Sequence, residues 1–333
     1  MGCSKLRLKT FVGTGMRKVD KWMELYEAQG DLNLLSGGYQ NLVYQFEKGE
    51  AAYILRVSDA GRRTKEQIED EVQWLLFLKE NNVKVAAPIR NVHQSYVESS
   101  QKNHIIAFQK AKGKQVDVYN MSVWNETLFE KWGRLIGKLH RLSSKEPLEL
   151  ANRPAWTSDN PDLLGLGKSL ESKEMSAVYK RLLRKLQGFE KKETTYGLIH
   201  NDLHQGNFFY DGEDIILFDY DDCAYHWYAY DIAVSFYHAY WQGTSANPDA
   251  VSFGEDFMRA FMAGYKKEHS VDKDILLQIP IFLKIRELFL YALFMEKWNL
   301  NALEEWQEYT IHHLRESILK EKPHSDIDFL QFL

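Results

Sequence analysis

The sequence predicts an α+β chain: a small antiparallel-sheet lobe over residues 1–110, then a larger helical lobe over 111–333. Three observations carry that expectation. At 333 residues the chain exceeds a typical single domain, which suggests two lobes of unequal size. Ahead of about Lys110, short β-type runs alternate with turns, whereas helical periodicity dominates beyond it. With 44% hydrophobic and 14% aromatic residues, the chain can bury a large core.

The first strand-like runs, Leu42-Val43-Tyr44-Gln45-Phe46 and Ala52-Tyr53-Ile54-Leu55-Arg56-Val57, flank a Lys48-Gly49 turn. Upstream, Gly37-Gly38-Tyr39-Gln40-Asn41 forms a glycine turn. Thr64-Lys65-Glu66-Gln67 is a capping-box pattern, after which Ile68, Val72, Leu75, Leu76 and Lys79 recur at helical spacing. On that wheel Glu71 falls between Leu75 and Leu78, and a carboxylate on a buried face needs a cationic partner. Arg56 is the candidate, with Glu69 as the competitor to Glu71. His104 to Ala111 reads as a strand entering a connector at Lys110-Ala111-Lys112-Gly113. Pro147, Pro154 and Pro161 mark a loop inside the helical lobe, since their spacing forbids a regular helix. The segment Asp274 to Trp298 is a long helix, and Lys284, Arg286 and Glu287 interrupt it too heavily for a bilayer span.

Composition excludes several classes. A net charge of -5 and the lack of a long Lys/Arg run argue against nucleic acid. Cys3 and Cys223 cannot build a disulfide framework, and no N-terminal apolar segment resembles a signal peptide, so the expected compartment is the cytoplasm. Met1-Gly2-Cys3 falls short of an acylation signal because Leu6 stands where Ser or Thr is required. No membrane partner is expected.

The chemistry concentrates in Leu198-Ile199-His200-Asn201-Asp202-Leu203-His204-Gln205-Gly206-Asn207 and the following Ile215-Ile216-Leu217-Phe218-Asp219. Asn207 to Tyr210 and Ile215 to Phe218 are apolar runs around Asp211-Gly212, which reads as strand, tight turn, returning strand. If Tyr210 pairs near Ile215, Asn207 comes beside Asp219. An amide oxygen next to a carboxylate suits Mg²⁺, which takes few protein ligands and shares the rest with phosphate and water. A carboxylate at Asp202, on the loop just before, can receive the proton of an attacking hydroxyl. That is the catalytic arrangement of a kinase. A rival reading has His200, Asp202 and His204 ligating zinc.

The pattern His200-x-Asp202-x-x-x-x-Asn207 with Asp219 resembles the aminoglycoside phosphotransferase and choline kinase group of the protein-kinase-like fold. Asp222, the later Tyr230-Asp231-Ile232-Ala233, and Leu135-Ile136-Gly137-Lys138-Leu139-His140, similar to a helix that ends in Leu-His, extend the likeness from about Leu34 to about Trp298. The resemblance implies ATP and Mg²⁺ as cofactors, Asp202 as the catalytic carboxylate, and Asn207 with Asp219 as metal ligands. It implies that His200 and Asp231 brace the catalytic loop. It makes the small lobe the nucleotide site, with Gly37 and Gly38 near phosphate and Gln109 to Ala111 offering backbone groups to adenine. Protein-kinase-like folds place lysine on the third strand, where this chain has Arg56; its fork keeps the charge for the α- and β-phosphates, and Glu71 would orient it.

The acceptor is a small molecule carrying a hydroxyl: an amino alcohol, a hydroxy amino acid, an aminoglycoside or a sugar. Candidate acceptor residues are Asp222, Trp227, Arg286 and Glu287. Aromatics with acidic neighbours can cage an amine or simply fill the core. Arg286 can clamp a substrate carboxylate or neutralise Glu287 or Glu296. Asp221 and Asp222 can each touch metal, touch substrate or cap a helix. A protein Ser/Thr kinase and a nonenzymatic nucleotide-binding module stay as alternatives, and oligomeric state is left open.

Overall fold

The computed structural model describes residues 16–35, 40–145, 148, 150–157, 166, 170 and 172–333. Gly37 and Gly38, two of the three loop prolines (Pro147 and Pro161) and the Met1-Gly2-Cys3 terminus lie outside the described residues. The chain divides into two compact units, Met1–Ala111 and Lys112–Leu333.

In the first unit, α1 (Met16–Tyr26) precedes β1 (Gln29–Leu34), β2 (Leu42–Lys48) and β3 (Ala51–Asp59). Helix α2 (Lys65–Glu80) follows, then β4 (Pro88–Ile89), β5 (Val97–Ser99) and β6 (Asn103–Gln109). The sheet is antiparallel in the order β1-β2-β3-β6-β4, with β5 also paired to β6. The β2–β3 hairpin closes through Gly49 and Glu50, and Gly49 sits at φ 63°, a conformation open to glycine at no steric penalty. Because side chains alternate across a strand, Leu55 and Val57 share one face with their partners Ala107 and Ile105. That face packs with Phe46 and with Leu25 and Tyr26 of α1 into a core. Arg56 and its partner Ile106 therefore belong to the opposite face.

Helix α2 starts at the expected capping box: Gln67 N–H donates to Thr64 Oγ1 at 3.3 Å and Thr64 N–H to Gln67 Oε1 at 3.1 Å. It buries Ile68, Val72, Trp74, Leu75 and Leu78. Each such side chain contributes about 1.5–3 kcal/mol of transfer free energy. Glu71 is buried among them.

The second unit holds β7 (Lys114–Gln115), α3 (Glu126–Lys145), α4 (Lys173–Gln187), β8 (Tyr196–Ile199), β9 (Phe208–Tyr210), β10 (Ile215–Leu217), β11 (Ala224–Trp227), α5 (Tyr228–Ala246), α6 (Phe253–Tyr265), α7 (Lys273–Lys297) and α8 (Glu305–Leu319). A final 3₁₀ turn spans Phe329–Phe332. Two small antiparallel sheets form, β10-β9-β7 and β11-β8. Gly113 makes the first possible: at φ 90°, an added Cβ would stand 2.5 Å from the Tyr210 carbonyl oxygen.

Helix α3 runs on to Lys145 rather than ending at His140, and buries Leu128, Phe129, Trp132, Ile136 and Leu139 at three- and four-residue spacing. It meets α6 backbone to backbone. A Cβ on Gly133 would lie 1.8 Å from Phe261 O, and one on Gly264 would lie 1.9 Å from Glu130 O. Helix α5 buries residues on every side, as expected of a central helix. Helix α7 begins one residue earlier than the sequence suggested, where Asp272 Oδ1 accepts from Asp274 N–H at 2.9 Å. Among the described residues no helix is long and apolar enough to cross a membrane.

Candidate active site

The β9–β10 hairpin has the register the turn signal suggested: Tyr210 opposes Ile215, Phe209 opposes Ile216 and Phe208 opposes Leu217. Its turn is held by Asp211 Oδ1, which accepts from Glu213 N–H at 2.9 Å and Asp214 N–H at 2.7 Å. One step past the strands, Phe218 N–H donates to Asn207 O at 3.1 Å, which brings Asp219 next to Asn207. Asp219 is exposed and lies at φ 65°. Asn201, on the loop between β8 and β9, lies at φ 72°. Asn and Asp are the side chains that bear left-handed backbone best, so both positions suit their residues.

Asp202 is gripped at both carboxylate oxygens. Arg286 Nη2 of α7 donates to Oδ1 at 2.6 Å, and Asn207 Nδ2 donates to Oδ2 at 3.2 Å as well as to Asp202 O at 2.8 Å. Burial by itself would raise the Asp202 carboxyl, but Arg286, His204 and His200 outweigh it and hold the group below its ordinary value. The side chain keeps 27% of its surface exposed, so the anionic carboxylate has a face open to a ligand. Burial pushes the neighbouring His204 imidazole down to about 4, so it is neutral near pH 7.

Asp231, at the start of α5, is fully buried and accepts from two successive amides of the loop, His200 N–H at 3.0 Å and Asn201 N–H at 2.7 Å. His140 Nε2 stands 3.4 Å from the same carboxylate, and its Nδ1 lies 2.9 Å from Tyr265 Oη. The His200 ring reaches across to Phe218 O at 3.2 Å, tying the loop to the residue before Asp219. Among the described residues no group of three His, Cys, Asp or Glu side chains gathers on a metal position, so the zinc reading finds no ligand set. Asn201 Nδ2 donates to Asp222 O at 3.0 Å, and Arg153 donates to Asp221 O at 2.7 Å and Cys223 O at 2.9 Å. The segment after Asp219 is thus held from two sides.

In the first unit, Arg56 and Glu71 form a two-pronged ion pair, Nη1 to Oε1 at 2.8 Å and Nη2 to Oε2 at 2.7 Å. Glu69 instead pairs with Lys65 at 3.3 Å. The adenine-edge expectation changes in detail: Gln109 N–H already donates to Ala87 O at 2.8 Å and Lys110 N–H to Ala52 O at 3.3 Å. Strand pairing therefore occupies both donors, and Ala111 lies beyond the last of them.

The acceptor candidates separate. Trp227 is fully buried among Trp156, Phe189 and Tyr196, with its indole N–H on Glu190 O at 3.2 Å, so it is a core residue and not a ligand-facing ring. Glu287 belongs to another network, accepting from Lys284 Nζ at 2.6 Å and Ser317 Oγ at 3.1 Å. Arg286 neutralises neither Glu287 nor Glu296, the latter pairing with Lys297 at 2.6 Å; its carboxylate is Asp202. Asp222 is half-buried beside the loop. Sequence reasoning missed Arg153, and it missed His238 as the partner of Arg286. For His238 the available signal was a polar residue in the apolar run Ile232 to Tyr240, and for Arg153, in a proline-marked loop, there was none.

The donor set fits a hard divalent cation. Asn207 commits its amide nitrogen to Asp202, which leaves its oxygen as the atom for a cation beside the Asp219 carboxylate. Among the described residues no three His, Cys, Asp or Glu side chains converge on a metal position, so an ion held by Asn207 and Asp219 would need further ligands such as phosphate and water.

The model of the phosphotransferase enzyme family matches residues 31–267. Amicoumacin kinase of Bacillus subtilis (strain 168) is 31% identical over 299 residues, covering 87% of this chain and 88% of the relative. The structure of amicoumacin kinase hAmiN in complex with AMP-PNP, Ca²⁺ and Ami superposes with a TM-score of 0.87 at 27% identity, covering 96% of this chain and 97% of that one. The microcompartment-associated aminopropanol kinase shares the fold at TM-score 0.70 and 21% identity, over 96% of this chain and 100% of its own. The chain therefore belongs to the phosphotransferase enzyme family, and it is a kinase that uses ATP and a divalent cation to phosphorylate the hydroxyl of a small molecule.

Proposed function

We propose that the acceptor is amicoumacin or a compound of closely similar shape, and that Asp202 is the carboxylate its hydroxyl meets. The observation that carries the acceptor is the likeness to amicoumacin kinase over nearly the full length of both chains. The role of Asp202 is supported by its open face and by the grip of Asn207 and Arg286 on its two oxygens.

Asp202 would orient the acceptor O–H and take its proton as the oxygen attacks the γ-phosphorus of ATP, the bond to the β,γ-bridging oxygen breaking and ADP leaving. Asn207 and Asp219 would hold the cation, and the Arg56 fork, kept in line by Glu71, would hold the α- and β-phosphates. A divalent cation held there would neutralise negative charge on the phosphate oxygens. His200 and Asp231 keep the loop in shape by the bonds described above. The nucleotide falls to the first unit and the acceptor to the second. Dependence on ATP fits action in the cytoplasm.

The test is ATP consumption by the purified chain with Mg²⁺, offered amicoumacin, amino alcohols, aminoglycosides and sugars separately. Amicoumacin is expected to stimulate turnover most. Stimulation by an amino alcohol and none by amicoumacin would overturn the acceptor assignment.

A further inference from the structure

We infer that Arg286 is a positioning residue for phosphoryl transfer that acts through Asp202 and is itself aimed by His238. The inference rests on the reading of Asp202 as the carboxylate that receives the acceptor hydroxyl.

Arg286 is 3% exposed, so its charge has left water and must be matched inside the protein. The Asp202 carboxylate matches the charge, and His238 and the Tyr230 hydroxyl take further guanidinium N–H groups. Nη2 donates to Asp202 Oδ1 at 2.6 Å, and Nε and Nη2 both point at His238 Nε2, at 3.1 and 2.7 Å. A nitrogen that faces two guanidinium N–H groups must present a lone pair, so His238 is the neutral tautomer with its proton on Nδ1. Burial, with His204 and Arg286 nearby, pushes the His238 imidazole well below its ordinary value, in agreement with that tautomer. His204 stacks on His238 with ring centroids 4.4 Å apart and 24° between planes, and its Nε2 is 3.8 Å from Asp202 Oδ2. His204 is fixed in turn by Gly206 N–H, which donates to its Nδ1 at 3.0 Å.

The consequence is geometric. The carboxylate torsion of an aspartate is broad and two-fold when nothing holds it. Here Arg286 takes one oxygen and Asn207 the other, so the plane of the carboxylate is set before any acceptor arrives. An acceptor hydroxyl then meets a lone pair of known direction, and a misplacement of about 1 Å in such a group can cost on the order of 10²-fold in rate. A lysine ammonium, with no planar fork, cannot face Asp202 and His238 in the same way.

A kinetic double-mutant cycle decides the matter: Asp202→Asn, Arg286→Gln and the pair together, each with kcat, nucleotide KM and a thermal midpoint. Arg286→Gln is expected to lower kcat by roughly 10- to 100-fold with nucleotide KM nearly unchanged, and to have little further effect in the Asp202→Asn background, because groups that act as a unit are not additive. A wild-type kcat in Arg286→Gln, or the same fold-loss in both backgrounds, would overturn the inference. If Arg286→Gln does not fold, Arg286→Lys keeps the buried charge and runs the same cycle. Full activity in Asp202→Asn alone would instead remove the reading of Asp202 on which this rests.

Discussion

Arg56 and Glu71 form a buried, two-pronged ion pair in the first unit, with Nη1 and Nη2 each within 2.8 Å of its own carboxylate oxygen. With the two side chains 5% and 0% exposed, neither charge has water to fall back on. Truncating one partner leaves the other bare, so Glu71→Ala should destabilise the protein by about 3–5 kcal/mol. The double change Arg56→Met with Glu71→Met should recover most of that stability without recovering nucleotide binding. Denaturant titration and a thermal shift with ATP and Mg²⁺ read the two effects separately. Nucleotide binding that survives in the double variant would take the pair out of the phosphate site.

Asp202→Asn should cut turnover by a factor of about 10² to 10⁴, the usual size of a general-base effect. Nucleotide binding should stay mostly intact, as stabilisation by ATP and Mg²⁺ would show. Near-normal phosphorylation by this variant would end the assignment.

Acid should destabilise the fold before the carboxylates titrate. Burial pushes His226 down to about 3 and His269 to about 4, and lowers His140 in the same direction, from an ordinary value of 6.5. The unfolded chain therefore binds protons below pH 6.5 that the folded chain refuses, so stability is whole above that pH and falls toward pH 4. Each fully titrating imidazole contributes on the order of 1 kcal/mol per pH unit over that window. Thermal midpoints at pH 7.5, 6 and 5 should descend in that order. A flat series would mean that these rings are wet in solution.

The α3–α6 crossing makes a sharp steric prediction. Gly133→Ala places a methyl carbon 1.8 Å from a main-chain oxygen that cannot rotate away, and should destabilise by about 2–4 kcal/mol. Gly188 offers the contrast: it is right-handed at φ -83°, and the nearest atom to an added Cβ is at 3.4 Å. Gly188→Ala should be neutral or stabilise by about 0.4–1 kcal/mol. Equal effects in urea titrations of the two variants would contradict the close approach of the helices.

Local order in the sequence carried far. Asp211-Gly212 between two apolar runs set the hairpin register and with it the placement of Asn207 and Asp219. Thr64 to Gln67 marked the start of α2, and helical phase then singled out Glu71 over Glu69 as the partner of a strand cation. What stayed hidden was tertiary. Arg286 lies in an apolar stretch with acidic residues near it in sequence, and those neighbours drew attention away from a carboxylate on a distant loop. The likelihood that Trp227 fills the core could be weighed but not decided, because burial on every side of β11 and α5 depends on which elements surround them. The glycines at 133 and 264 carry no signal of their own in the sequence, and only the helix crossing explains them.

Asn201 and Asp219 both sit at positive φ, where glycine would rest at ease. Asn and Asp bear that conformation better than most side chains do, and Asn201 uses it while its amide holds Asp222 O. Glycine at 201 would ease that backbone yet surrender the amide that holds the Asp222 carbonyl, so comfort of the main chain is traded against order in the segment after Asp219.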